Sequence, residues 1–578
     1  MSAQPSPPPE RPSPEQSWAV DSARTLVSRT PAARVGKPSA MRSDLQKGRQ
    51  FLGSFKRSLG RAVSARVKRS TRSLAPGKKR ELGTAPAPST APAQVILSRV
   101  NAALAVIRPG NAAPADLPTA LTLVAALLAD APVKRAELWL IFIAIAGRMP
   151  ENDELDHILA LTILEGPTAA AVAMVDIATA EPTPWTLRAR LRIVDFPIVD
   201  VTLTAASPLH TGIQRVVREV VPLWAKHNKL EAVVFDDDLK CYRATTRAEH
   251  QAIFEWDSTS AADISKDTGA LAEIVVPWNS TVVIPELVGA KHRSMSLECL
   301  GTWSGNRIGM TVHDFIPYTC PSIVGERVRN QFGETVNVIR STHRVSAVSN
   351  AVRDDVDAFS VMLENLGLAK PQARAHPHPI TAPTGKTDSA DDQQLIPLRT
   401  AQLPIVLTVG SAVPRKNHLR LLQAVEQLWS DGLEFELVMI GWNMRAGNWL
   451  ADEAAKLQAR GRQLHYVGRV SDPALGQAYR LARFTVFVSL AEGYGLPVAE
   501  SIASGTPVIT SNFGSMREIA AGGGAMTVDP REISEIAAAI RLLLSDDAAL
   551  AELTAEAQDR IRGSWDEYAV NTWEWLTG

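Results

Sequence analysis

The stretch AEGYGLPVAESIASG, residues 491–505, decides how the rest of the chain is read. It holds two glutamates, Glu492 and Glu500, separated by the turn Gly493, Tyr494, Gly495 and by Leu496 and Pro497. An apolar, β-branched run precedes it (FTVFVSL, 484–490) and another follows (TPVIT, 506–510), each with the character of a buried parallel strand. Proline suits the first turn of a helix and glycine the position just past its end, so a helix is expected over 497–504. Glu492 then stands in a loop at the carboxyl end of a strand, and Glu500 in the first helical turn. Both can face one crevice.

Glycines let backbone N–H groups approach an anion, and a helix N-terminus adds partial positive charge, so a diphosphate suits this turn. The flanking carboxylates can accept hydrogen bonds from sugar and ribose hydroxyls. An ordinary strand–turn–helix connection with two solvated glutamates would carry the same local pattern. The stretch resembles the E-x7-E signature of family 4 glycosyltransferases, retaining enzymes of the GT-B fold. The resemblance covers roughly residues 190–578 and is strongest over 404–518. It implies an α/β fold of two facing Rossmann-like domains.

At 578 residues the chain has room for two or three domains with real cores. The formal charge sums to zero, yet residues 1–90 hold 18 Lys or Arg against 5 Asp or Glu, so the basic charge sits in a tail. Residues 1–92 are rich in Pro, Ser, Ala and Arg, and such a composition is expected to stay disordered. Within it, Phe51, Leu52, Phe55, Leu59 and Val63 recur at helical spacing among basic residues. Residues 50–80 could therefore lie on an anionic membrane, although a solvated basic linker fits the same residues. No nucleic-acid partner is expected, because no aromatic stacking platform accompanies the charge. The three cysteines share no metal or redox spacing, and no secretory h-region opens the chain. The longest uncharged apolar run, 138–147, is too short to span a bilayer. The expected location is cytoplasmic, with peripheral contact at the inner face of the plasma membrane.

Residues 93–185 are Ala and Leu rich, with helices expected over 116–129, 134–146, 153–164 and 167–178 as an accessory module. From 190 to 385 the pattern changes to short strands alternating with helices: 191–202, 231–235, 280–284, 307–312 and 344–348. A Pro, Gly, His and Asp-rich linker over 375–395 separates this first domain from a second, 396–562. Strands are expected there over 404–409, 434–440, 464–467, 484–490 and 506–510. Residues 563–578, with SWDEYAVNTWEWL, resemble the family's C-terminal helix that crosses back to the first domain.

The second domain opens with IVLTVGSAVPRKNHLRLLQAV, residues 405–425, where a strand ends at Gly410 and a loop presents Arg415 and Lys416. Two cations held there can neutralise a pyrophosphate. Family 4 enzymes place an Arg/Lys pair at this point, which implies the same role for Arg415 and Lys416. In TGIQRVVRE, residues 211–219, Gly212 precedes an amphipathic helix and would let backbone amides reach the donor from the opposite domain. Arg215 and Arg218, three apart on that helix, fit either cleft cations or surface charges, and the surface reading is favoured. TVHDFIP, residues 311–317, puts His313 and Asp314 at the carboxyl end of a strand, where open α/β sheets bind ligands. This run resembles the family's HD motif. Ser349 in RVSAVSN reads as a helix cap, and Val470 in YVGRV falls where the family's nucleobase contacts lie. Asp236, Asp237 and Asp238 read as an acidic surface loop rather than a metal site.

The resemblance implies transfer of a glycosyl group from a nucleotide diphosphate sugar with retention, to a glycan or lipid-linked saccharide in cell-surface polysaccharide synthesis. Arg415 and Lys416 would hold the diphosphate; the amides of Gly493, Tyr494, Gly495 and Leu496 would assist. Glu500 would take the ribose, Glu492 the sugar, and His313 the reacting centre. No metal or further cofactor is implied. The run TGIQRVVRE resembles bacterial members that transfer mannose. A scaffold that keeps the shell without the chemistry is the alternative, and it predicts decay of the charged positions, all of which are filled here.

Overall fold

A computed structural model describes residues 92–130, 132–180, 189–207, 211–256, 273–383, 395–441, 449–560 and 563–578. The expected basic tail, with its amphipathic segment 50–80, lies outside the described residues. Most of the 375–395 linker, from 384 to 394, lies outside them as well.

The first α/β set contains β1 (Arg190–Val194), β2 (Ile198–Asp200), β3 (Glu231–Asp236), β4 (Cys241–Ala244), β5 (Glu273–Pro277), β6 (Thr281–Ile284), β7 (Arg307–Val312), β8 (Arg344–Ala347) and β9 (Gln372–Ala375). The run expected as one strand over 191–202 is two strands in different sheets. Pro197, which has no N–H to give to a ladder, ends the first course. β1 pairs with β5 in a two-stranded parallel ribbon, while β2 enters a seven-stranded sheet of order β4-β3-β2-β6-β7-β8-β9. Only the edge strand β4 runs antiparallel there.

The second set contains β10 (Ile405–Val409), β11 (Glu436–Ile440), β12 (Leu464–Gly468), β13 (Phe484–Phe487), β14 (Val508–Ser511) and β15 (Ala525–Val528). Its order is β12-β11-β10-β13-β14-β15, parallel throughout. Two doubly wound α/β sheets in one chain are the architecture expected of the GT-B fold. Each sheet reverses its winding once, the first between β2 and β6 and the second between β10 and β13. Ligands of such sheets bind beyond the carboxyl ends of the strands flanking that reversal. The chain sends its charged loops there: 411–417 leaves β10, and 488–495 leaves β13.

Among the described residues, five helices precede the sheets: Pro92–Ile107, Leu117–Ala129, Arg135–Ala146, Asn152–Leu164 and Pro167–Ala180. The helix Arg135–Ala146 is buried along nearly its whole length, including Trp139 and Phe142. It shares one continuous apolar core with β6, β7 and β8. Arg99, itself buried, donates through Nε to the carbonyl of Ala144 and through Nη2 to that of Ile145. Burial on this scale explains an apolar run too short for a membrane.

The last helix, Trp565–Thr577, packs on the first domain. Trp224 Nε1 donates to the Ala569 carbonyl at 2.9 Å, and Trp575 Nε1 donates to that of Val345 at 2.9 Å. Gly309 in β7 admits this helix: a Cβ there would fall 2.5 Å from the Leu576 carbonyl oxygen.

Candidate active site

The loop after β10 is built to aim two cations. Pro414–Lys416 forms a single 3-10 turn, closed by Asn417 in the left-handed region at φ 60°. Asn417 holds that strained conformation because its Nδ2 donates to the carbonyls of Val488 and Pro530, at 3.0 and 2.7 Å. The Arg415 carbonyl accepts from Leu490 N–H at 2.7 Å, so the turn is stitched directly to the loop that leaves β13.

Glu492 then lies between both cations. Lys416 Nζ is 2.7 Å from Oε1, and Arg415 Nη1 is 2.5 Å from Oε2. Burial alone would raise the Glu492 pKa, but Lys416 and Arg415 outweigh it and hold the carboxylate at about 2. Burial pulls Lys416 down to about 8 against the opposing pull of Glu492. The three side chains sum to one positive charge in a largely buried cluster, and an anion is its natural complement.

Gly495 adopts φ 108°, a left-handed conformation that L side chains rarely adopt, and opens the helix Leu496–Ala503. The helix begins one residue earlier than expected, so Glu500 sits in its second turn rather than its first. Glu500 is 5% exposed. Tyr479 Oη donates to its Oε2 at 2.9 Å, and Arg215 Nη1 donates to its Oε1 at 2.5 Å.

The surface-charge reading of Arg215 and Arg218 is therefore corrected. Their helix, Gly212–His227, turns both side chains inward: Arg218 is buried, with Nε donating to the Ala252 carbonyl. The guanidinium of Arg218 lies 3.4 Å from the ring centroid of Trp256. Gly212 is the first residue of this helix, and a Cβ on it would come 3.1 Å from Leu496 Cδ1 across the cleft.

His313 follows β7 directly. Its Nε2 lies 2.8 Å from the Pro285 carbonyl, which can only accept, so Nε2 carries the proton and Nδ1 is the acceptor of the ring. Burial lowers its pKa to about 4, leaving a neutral imidazole at physiological pH. Asp314 Oδ1 accepts from Ile316 N–H at 3.1 Å. Burial raises the Asp314 pKa, and Arg415 opposes that rise. Ser349 is the helix cap expected, accepting from Val352 N–H, and its hydroxyl also donates to the Gly493 carbonyl.

The Tyr494 side chain joins the loop to the first domain. Its hydroxyl donates to the His378 carbonyl at 2.6 Å, and the rings of the two residues meet edge to face at 5.0 Å. What it offers the turn is its backbone N–H. Val470 follows β12, with its side chain packed on the apolar layer around Ile405 and Tyr479.

Sequence reasoning missed Glu286. It follows β6 beside Pro285 and is wholly buried. Its carboxylate accepts from the N–H groups of Leu203 and Thr204, and Arg293 bridges it to Asp200 at the end of β2. Burial pushes the Glu286 pKa up to about 7 although Arg293 pulls against it. This network braces both strands at the reversal of the first sheet and the loop carrying the carbonyl that orients His313. The only signal was a glutamate just past an apolar strand, in VVIPE.

The family model described as glycosyl transferases group 1 matches residues 392–560, which carry the cation turn, Glu492, Glu500 and Val470. Residues 392–560 are a group 1 glycosyl transferase domain. The E-x7-E stretch and the Arg415–Lys416 turn both fall inside the matched region. Over 339 residues the chain is 27% identical to the serotype-specific mannosyltransferase WbdA of Escherichia coli, covering 56% of this chain and 39% of that relative. It is also 28% identical over 271 residues to O-antigen chain mannosyltransferase B of the same organism, 45% of this chain and 68% of that one. The chain spans less than half the length of the first of these relatives. A solved α,α-trehalose-phosphate synthase (UDP-forming) from Burkholderia xenovorans superposes with a TM-score of 0.46 at 15% identity, over 67% of this chain and all of that one. In the glycosyl transferase domain, Arg415, Lys416 and Glu492 form one cluster, while Glu500 is held by Tyr479 and by Arg215 of the first domain; from the first domain the His313–Asp314 turn meets Gly493, and Gly212 meets Leu496.

Proposed function

We propose that this protein transfers a hexose, with mannose as the leading candidate, from a nucleotide diphosphate sugar to a glycan or lipid-linked saccharide in cell-surface polysaccharide synthesis. The observation that carries the reading is the Lys416–Glu492–Arg415 triad at the reversal of the second sheet, set against His313 of the first domain. The mannose assignment is supported by the likeness to O-antigen mannosyltransferases.

In this reading Arg415 and Lys416 hold the diphosphate and stabilise the charge that grows on it as the glycosidic bond breaks. The N–H groups from Gly493 to Leu496 meet the same phosphate or the sugar. Glu492, oriented by both cations, accepts from sugar hydroxyls, and Glu500 from the ribose. Neutral His313 presents Nδ1 as an acceptor toward the transferred sugar. No side chain stands out as a covalent nucleophile, so we favour front-face displacement with retention, the leaving phosphate taking the acceptor's proton. The cation pair supplies the positive charge in this scheme without a metal ion. Residues 50–80 would hold the enzyme at the inner face of an anionic membrane near its acceptor.

The test is a panel of nucleotide sugars, GDP-mannose first, assayed by thermal shift and donor hydrolysis on the wild type and on Glu500→Ala. Stabilisation and turnover by one of them, lost in the variant, are expected. A wild type that responds to no nucleotide sugar, or a variant that responds identically, overturns the reading.

A further inference from the structure

Glu500 is held from two domains at once. Tyr479 reaches Oε2 from the same domain, and Arg215 reaches Oε1 from the helix Gly212–His227 of the other. The side chains of Arg215 and Glu500 are 12% and 7% exposed. The two helices meet where Gly212 faces Leu496, so the first residue of one abuts the first residue of the other. Each oxygen of an ionised carboxylate has two lone pairs, and a single donor on each leaves acceptor capacity on both. Desolvation offsets much of the attraction in a buried ion pair, so such a pair does more to orient a group than to stabilise the fold.

We propose that Arg215 is a positioning residue of the nucleotide-sugar site. It turns the Glu500 carboxylate so that its remaining lone pairs meet the ribose hydroxyls of the donor. This inference rests on the assignment of Glu500 to the ribose given above. Its consequence is that the ribose contact is complete only when the first domain is seated on the second, which ties nucleotide affinity to domain juxtaposition.

The probes are GDP and UDP, each compared with its 2′,3′-dideoxy counterpart by calorimetry on the full chain. The wild type should prefer the ribose form of its nucleotide by about tenfold or more, the size expected of hydrogen bonds to a charged group. In Arg215→Met that preference should fall to about threefold or less, together with a lower melting temperature, because Glu500 keeps a buried charge without its partner. Arg215→Lys keeps a charge without the planar fork and should give an intermediate ratio; it also serves if the Met variant does not fold. A variant that keeps the full wild-type ratio overturns the inference. So does tighter binding by Arg215→Met, which would make Arg215 a competitor of the donor. A wild type that binds nucleotide without any ribose preference removes the assignment of Glu500 itself, a different failure.

Discussion

Gly493 and His313 touch backbone to backbone across the two domains. A Cβ on Gly493 would fall 1.7 Å from the His313 carbonyl oxygen and 3.0 Å from the Cβ of Asp314. The Ser349 hydroxyl donates to the Gly493 carbonyl at 2.7 Å, and Tyr494 donates to the His378 carbonyl one residue on. The glycine loop is thus seated on the turn that carries His313, and neither can shift alone.

Gly493→Ala should therefore separate the loop from the turn. The obstructing atom is backbone, which cannot rotate away, so the whole contact must open. Overpacking of this kind typically costs about 1–3 kcal/mol. Activity should fall further than stability does, because misplacement of about 1 Å can cost on the order of a hundredfold in rate. Steady-state turnover beside thermal melts decides it: equal activity in the alanine variant would contradict the contact.

The pKa of Lys416, lowered by burial to about 8, gives a pH signature. Below that value the ammonium is charged and can meet a diphosphate; above it the charge is lost. The kcat/KM for the nucleotide sugar should decline as pH rises through about 8, since this ratio reports the free enzyme. Lys416→Arg should move the decline far upward, because arginine does not lose its proton in this range. In Glu492→Gln the partner that raises Lys416 is gone, so the decline should begin at lower pH. A profile that none of these substitutions moves would assign the limb to another group.

Much of this arrangement was legible because its chemistry is local. The order apolar run, Gly-rich turn, Pro, Gly announces a strand, a turn and a helix, and the Arg415–Lys416 pair needed only the end of β10 to be placed. What escaped depended on distant partners. Arg215 looks like any basic residue on an amphipathic helix until Glu500, 285 positions away, is brought against it. The strands β4, β5, β9 and β15 are only four or five residues long and sit at or near edges, where no long apolar run marks them. The helices 92–180 read as an accessory module because their apolar faces give no hint that the partner is the first sheet.

Buried neutral histidines should make the fold sensitive to acid. Burial lowers His313, His376 and His418 each to about 4, from an ordinary value of 6.5. The folded state resists protonation that the unfolded chain accepts, so stability is full above pH 6.5 and is lost as pH falls toward 4. The slope is about 1.4 kcal/mol per pH unit for each histidine. Asp355, pushed up to about 6, and Glu286, at about 7, run the other way. The comparison is therefore between wild type and His418→Gln, which keeps an N–H for the Ser411 carbonyl but does not titrate. Urea denaturation between pH 6.5 and 4 should show a shallower loss in the variant; parallel curves would refute neutral burial of His418.

Removal of residues 1–90 tests the proposed membrane contact separately from donor chemistry. The basic excess of that segment should draw the full chain to vesicles containing phosphatidylserine, by about 1 kcal/mol for each cation near the surface and less so at high salt. The truncated chain should float free of such vesicles while its nucleotide-sugar affinity is unchanged. Equal vesicle binding with and without the segment would exclude it as the anchor.

The C-terminal helix should be required for the first domain as much as for the second. Trp224, from the first domain, is 2% exposed, packs its ring 5.5 Å from that of Trp573 and donates to the Ala569 carbonyl. Leu576 enters the gap left by Gly309 in the middle of β7. Truncation before Ser564 would expose Trp224 and leave its indole N–H without the Ala569 carbonyl. A buried tryptophan replaced by alanine typically costs about 3–5 kcal/mol, so Trp573→Ala should lower stability by that order. Trp224→Phe keeps most of the ring but gives up the N–H bond and should cost less, about 1–2 kcal/mol. Because β7 carries His313 at its end, Trp573→Ala should also reduce turnover at temperatures where the protein remains folded. Turnover that falls only in step with the unfolded fraction would show that the helix stabilises the fold without steadying His313.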